Sequence, residues 1–345
     1  MIWHPLMLSL TVLDLASLLL LLSAAWVALR VAGDWAPRSA ARDQIALEIQ
    51  TETAALKTRW ALGILCFSTL LWVLGITLVL PGVVPGAMCG TGVMQATGGR
   101  GTQALLMRLA GCAALYCWLI LDRFNRLRPD APLTVLSSRV LLAVFPLVLV
   151  AFLETARSIR LLDTLQPVDC CAVVYDQVRG VGTAAGMPWG DIAGVMVLPF
   201  AVTGSLLAAA ALSARFLSGG AQRTASAVQA LAALVWIPMA VFVTIRVFAA
   251  YHFQVLHHHC PWCLFLPEHR LVGFPIFAAL AVVALEAAAS VIAMNVGRRF
   301  KALFPEAERR SKTAGLRVGI AVCAYVIFAV APVFLWRIRY GVWIG

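Results

Sequence analysis

The chain is 345 residues long, 62% hydrophobic and only 12% charged, with a mean hydropathy of +0.90 and a formal net charge of +11. Soluble domains carry about 25% charged residues, so composition excludes that class and requires an integral membrane protein. The positive charge would suit nucleic acid, but it is concentrated in loops between apolar runs, so membrane lipid and not nucleic acid is the expected partner.

Eight apolar runs come near the ~20 residues that a helix needs to cross a bilayer; barrel strands would be about half as long and would alternate. They are Met7 to Val31, Ala61 to Val83, Thr102 to Leu121, Val140 to Leu161, Ile192 to Phe216, Ala227 to Ala250, Phe274 to Val296 and Val318 to Trp336. The expected fold class is therefore all-α, a polytopic membrane protein of about eight transmembrane helices. Loops after the odd-numbered runs hold the denser basic clusters: Arg30, Arg38, Arg42, Lys57 and Arg59; Arg123, Arg126, Arg128 and Arg139; Arg215 and Arg223; and the stretch from Arg298 to Arg317. Those loops are expected to face the cytoplasm. Both termini and every loop with paired cysteines then lie outward from a bacterial inner membrane. The first run lacks a basic leader and continues into a polar loop, so no cleavable signal peptide is expected.

Asp14 lies within the first run, where a carboxylate is costly unless it is neutral or satisfied, so it is expected to meet a basic group or line a wet cavity. From Gly33 to Arg59, Ile45, Leu47, Ile49 and Leu56 alternate with Arg42, Asp43, Glu48, Glu52 and Lys57. That pattern predicts a short polar helix on the inner leaflet or a solvated linker helix. The loop from Pro85 to Gly99 is glycine-rich, which predicts tight turns and not a folded subdomain. Its Cys89 has no local partner and invites a long-range bridge. The third run carries Arg108. After the fourth, Ala156 to Asp191 is the longest outward segment, centred on Cys170 and Cys171, which the Cys89 loop faintly echoes. Adjacent cysteines bridge each other only through a strained ring, so each is expected to pair elsewhere.

The sixth run carries Arg246 and ends at Tyr251-His252, before His257-His258-His259-Cys260-Pro261-Trp262-Cys263 and Pro267-Glu268-His269. Two thiols so spaced, just ahead of a membrane-length helix, form and break a disulfide with little backbone movement. Neighbouring histidines, cationic or donating, would raise the thiolate fraction. The same residues have the spacing of a zinc or copper site, with His257, His258, His259 and His269 as ligands beside the two sulfurs. A structural disulfide is the third reading. Covalent haem is less attractive, because no His follows the second cysteine. Glu286, near the middle of the seventh run, is either functional or a structural group bonded to a neighbouring helix. Cys66, Cys112, Cys117 and Cys323 fall within runs and are expected to be inert packing.

From about Leu133 to Val296 the order of features resembles the vitamin K epoxide reductase family and its bacterial disulfide-forming relatives. That order is one span, an outward loop with cysteine, two spans joined on the inside, then a Cys-x-x-Cys opening a fourth. Cys170-Cys171-Ala172-Val173-Val174, followed by Gly180, Gly182, Gly186-Met187-Pro188 and Gly190, is similar to the family's loop cysteine and its glycine-proline entry into the next helix. Cys260-Pro261-Trp262-Cys263 is similar to its membrane-edge redox pair.

The resemblance implies a four-helix redox bundle over residues 127–296, between a three-span extension at 1–126 and a basic loop plus last span at 297–345. It implies that Cys263 passes electrons to a quinone, either ubiquinone or menaquinone, and that Cys260 exchanges with a loop cysteine. Cys170 would relay oxidising equivalents to a separate periplasmic thioredoxin-like protein. The chain departs from the family's pattern in lacking a second loop cysteine between Arg157 and Asp169, so either Cys171 or Cys89 takes that part or the relay has only three working thiols. The histidine triplet and the flanking spans are also additional. The implied activity is quinone-linked thiol-disulfide oxidoreduction; the alternative left by the residues is a His/Cys metal-binding membrane protein.

Overall fold

The computed structural model describes residues 4–36, 42–168, 192–254 and 258–342. Among them the regular elements are all helical, and eight helical runs are long and apolar enough to cross a membrane. Continuous helices are what a bilayer demands, since each backbone N–H and C=O must there be satisfied within its own segment. The chain is a multi-pass helical membrane protein, and it divides into two compact units, Met1–Val168 and Asp169–Gly345.

The first unit contains α1 (Pro5–Asp34), α2 (Arg42–Leu74), the short α3 (Gly90–Ala96), α4 (Arg100–Asn125) and α5 (Thr134–Leu161). Helix α1 packs on α2 and α5, and α4 packs on the same two, which closes a four-helix ring. Leu21, Ala24, Leu65, Leu115, Trp118 and Val148 fill its core. Within the ring, four long helices each supply one polar side chain: Asp14, Ser68, Arg108 and Thr155. Arg108 pairs with Asp14 and donates from Nε to Thr155 Oγ1 at 2.9 Å and from Nη1 to Ser68 Oγ at 3.0 Å. The buried carboxylate thus meets a basic group, the first of the two outcomes expected for Asp14.

Residues 42–59 differ from expectation. They form no separate surface helix but the first half of α2, which runs unbroken into the apolar segment. Leu47, Ala54, Ala55 and Thr58 recur at helical spacing and are buried, so this half has a protein face to cover and not a lipid surface to lie on. Helix α2 then ends in a π-turn, Gly75–Val79, and a 3-10 turn, Leu80–Gly82. The glycine-rich stretch beyond, expected as turns alone, contains α3 with Cys89 at its N-cap. Gly86 has φ +76°, and a Cβ there would stand 2.4 Å from the Val168 carbonyl oxygen. Its absence lets the Val168 N–H reach the Pro85 carbonyl at 3.0 Å, which ties the segment after α5 across this loop.

The second unit contains α6 (Ile192–Phe216), α7 (Gly219–Val243), a π-turn at Thr244–Phe248, α8 (Ala249–Phe253), two 3-10 turns (Pro261–Phe265 and Pro267–His269), α9 (Gly273–Arg299), α10 (Phe304–Tyr325), a π-turn at Val326–Val330 and α11 (Ala331–Tyr340). Its ring runs α6 on α7, α7 on α9, α9 on α10 and α10 back on α6. Phe200 stacks on Trp236 at 5.8 Å, and Trp236 meets Tyr325 edge-on at 5.0 Å, in the heart of the core.

Both units therefore follow one plan: two helices, a π-turn, a cysteine-bearing loop, then two helices. In this plan the counterpart of the Cys89 loop is the Cys260–Cys263 loop, not the stretch around Cys170, which lies outside the described residues. Helix α5, which the resemblance groups with the three spans after it, closes the ring of the first unit.

Candidate functional site

Cys260 is the N-cap of a single 3-10 turn and adopts extended backbone, φ −80° and ψ 115°. Pro261 starts that turn because its φ is preset and its missing N–H is not needed at a first helical position. With three residues per turn, side chains at i and i+3 eclipse. Cys260 and Cys263 consequently project to one side, with their Sγ atoms within 4.8 Å of each other. Both are buried. A disulfide needs a Cβ to Cβ separation of about 3.8 Å, so side-chain rotation with a small backbone adjustment suffices to make or break the bond.

An aromatic wall stands beside the pair. Phe265 stacks on Phe277 at 5.3 Å, meets Phe274 edge-on at 5.0 Å and lies 5.8 Å from the Trp262 ring. Gly273, the first residue of α9, makes this possible, since a Cβ there would fall 2.8 Å from two atoms of the Phe265 ring. The sequence reading singled out the cysteines but not this wall. The signal available was the density of Trp262, Phe265, Phe274 and Phe277 on either side of a glycine.

The described histidines of this loop are held by their own contacts. The ring Nδ1 of His259 lies 3.3 Å from the Ile245 carbonyl, which only accepts, so Nδ1 carries the proton and donates. His258 and His269 both meet the Phe253 ring edge-on, at 4.7 and 4.5 Å. Burial holds His258 below the ordinary histidine range. His269 is lowered by burial and by repulsion from His258, partly offset by Glu268. Both are therefore neutral near pH 7, so neither supplies the cationic means of raising thiolate that the sequence suggested. Among the described residues of this unit, no His, Asp or Glu completes a metal-sized cluster with Cys260 and Cys263.

A pKa lowered on folding contributes stability above the unfolded value, near 6.5, and loses it as pH falls through the folded value. Amide protection across residues 260–271, corrected for intrinsic exchange, is expected to fall as pH drops below about 6.5, and the double change His258→Phe/His269→Phe to remove most of that acid sensitivity. Protection unchanged down to pH 5 would contradict the burial of neutral imidazoles as a stabilising feature of this loop.

The remaining sequence candidates belong to other elements of the two units. Asp14 belongs to the interior of the first unit. Glu286, on α9, is held by Arg310 and Arg317 of α10, at 2.7 and 2.8 Å to its two oxygens, so it ties two helices together. The seven-residue spacing of those arginines places both on one helix face and was the available sign of that pairing. Arg246 is exposed on the π-turn and joins no ion pair among the described residues. Cys89 is buried at the start of α3. Of the thiols expected to be inert packing within spans, Cys66 and Cys323 are exposed on helix faces, and Cys112 and Cys117 are half-buried. Cys170, Cys171 and His257 lie outside the described residues.

Fold and site together define a polytopic helical membrane protein carrying a closely held Cys-x-x-Cys pair. No family model, no curated protein and no solved structure matches the chain.

Proposed function

We propose that this protein is a membrane thiol-disulfide oxidoreductase that oxidises the thiols of a periplasmic, thioredoxin-like protein and passes the electrons to a quinone, ubiquinone or menaquinone. The observation that carries the reading is the Cys260–Cys263 pair, with sulfurs within 4.8 Å on a 3-10 turn and an aromatic wall beside them. A quinone is a hydrophobic two-electron acceptor that needs apolar surface with a few polar groups. The resemblance and the positive-inside distribution of arginine and lysine support an inner-membrane location with the cysteine loops outward.

In this scheme a substrate thiolate attacks Cys260 Sγ of the oxidised pair and releases Cys263 as thiolate. The substrate's second thiolate then resolves the mixed disulfide and leaves as a disulfide. The reduced pair gives two electrons to the quinone, which takes two protons to become quinol, and the Cys260–Cys263 bond re-forms. The dithiol that attacks Cys260 would be the relay, Cys170 with Cys171 or Cys89, which once oxidised passes its disulfide to the soluble partner by the same exchange.

Differential alkylation tests this directly. Purified protein reduced with a dithiol and freed of it should expose Cys260 and Cys263 to alkylation, and a stoichiometric quinone should protect both by restoring their disulfide. Alkylation of both residues unaffected by quinone would remove the reading.

A further inference from the structure

The interior face of α7 and of the π-turn that continues it carries polar side chains among small apolar ones, and interhelical bonds account for only part of them. Gln222, Ser226, Gln229, Trp236 and Thr244 recur at spacings that keep them on one face, and each is at most 1% exposed. In a bundle core such groups are costly unless hydrogen-bonded. Some of them are. Gln222 Nε2 donates to the Ala214 and Glu308 carbonyls at 3.2 and 2.9 Å, and Ser226 Oγ lies 2.8 Å from Ser311 Oγ, which lies 2.9 Å from Ser290 Oγ. Thr244 Oγ1 is 2.7 Å from the Tyr325 hydroxyl, and both donate to or share the Ala240 carbonyl.

The others are not. Gln222 Oε1, both polar atoms of the Gln229 carboxamide and Trp236 Nε1 are buried with no hydrogen-bond partner. Gln229 stands about one turn from Ser226 on α7, and Glu286 one turn from Ser290 on α9, both toward the cysteine loop. The serine contacts therefore place the orphaned amide and the ion-paired carboxylate in the same layer. Ala232, Ala233 and Ala240 occupy the intervals between the polar positions. Beyond Thr244 the next residue, Ile245, offers its carbonyl to His259, the neighbour of Cys260.

We propose that water occupies the orphaned positions and that, with the side chains already bonded, it forms a proton path through the second unit from Gln222 to His259. Buried water characteristically makes two to four hydrogen bonds to groups that lack other partners. From Gln229 to Trp236 the rise is about 10 Å, and from Trp236 to Thr244 about 12 Å, each the reach of a short file of waters. Polar side chains that keep water inside a membrane bundle are costly and are one way in which such bundles carry protons. The use of this path rests on the proposed function. Oxidation of a dithiol at the cysteine end yields two electrons and two protons, and a quinone needs two of each. When the quinone draws its protons along α7 from the end bearing Arg215 and Arg223, every turnover releases two protons on one side of the membrane and consumes two from the other.

Two measurements on the full chain, reconstituted in lipid, test the path and its use separately. Radiolysis of water oxidises aromatic side chains next to bound water, so Trp236 and Tyr325 should be labelled at doses that label Trp262, and Gln229→Leu should abolish labelling of Trp236. Trp236→Phe, which removes the indole N–H together with the five-membered ring that carries it, should in turn slow labelling of Tyr325 and serves if Gln229→Leu fails to fold. Absence of label on Trp236 and Tyr325 in the native chain would overturn the path. In vesicles with the cysteine end outward and a pH dye inside, an impermeant dithiol plus a short-chain quinone should raise the internal pH by two protons per quinol, and Gln229→Leu should abolish that rise. Quinol formed without internal alkalinisation would overturn the proton route. Labelling with no quinol formed would support the path and remove the oxidoreductase reading instead.

Discussion

Cys263→Ser is expected to reduce thiol-driven quinone reduction by at least about a hundredfold, to the uncatalysed background. A serine hydroxyl neither exchanges with a disulfide nor yields its electrons to a quinone, while replacing one sulfur by oxygen at a site 8% exposed changes little of the side-chain volume. Because the two sulfurs act as one unit, Cys260→Ser is expected to cost as much, and the double variant no more than either single one. Stopped quinol assays on the three purified variants check this. Independent, additive losses would show that the sulfurs do not share one bond in the reaction.

The largest expected effect on stability is at Arg108, in the first unit. Arg108→Ala strands the Asp14 carboxylate, removes the donors to Ser68 and Thr155, and empties the volume of a side chain 1% exposed. Removing one partner of a buried ion pair costs about 3–5 kcal/mol, whereas replacing both partners by apolar groups of similar size is often neutral. Denaturant titration in micelles should thus show a loss of that order for Arg108→Ala and recovery of most of it in Asp14→Leu/Arg108→Met. Its counterpart at Glu286 should be milder, since Arg317 is half exposed and Arg310 holds the same carboxylate. A single Arg108 change costing under about 0.5 kcal/mol would mean that the four-residue knot does not hold the ring together.

The membrane class and the eight spans were legible because hydrophobic length alone decides them, and they hold in the structure. The cost of Asp14 and Glu286 at depth was legible too. Their partners were less so, because Arg108 lies 94 residues from Asp14 and only tertiary packing brings the two together. The polar half of α2 was misread because a helix from Arg42 to Leu74 buries one stripe against protein while the opposite stripe is charged, and a local pattern does not say which surface the stripe meets. Cys260 and Cys263 were legible as a pair from spacing. The neutral state of His258 and His269 was not, since it depends on Phe253 and on burial that a row of histidines does not disclose. The two-unit plan was hidden because the helices share a packing order and a π-turn but no evident residue pattern.

Quinol appearance on mixing the purified native protein with an impermeant dithiol and a short-chain quinone bears most directly on the whole reading. One quinol per dithiol oxidised, far above the protein-free rate and absent after alkylation of the reduced Cys260–Cys263 pair, is the predicted result. Quinol formation at the protein-free rate, by a protein carrying stoichiometric zinc or copper on those two sulfurs, would contradict it and make the loop a metal site.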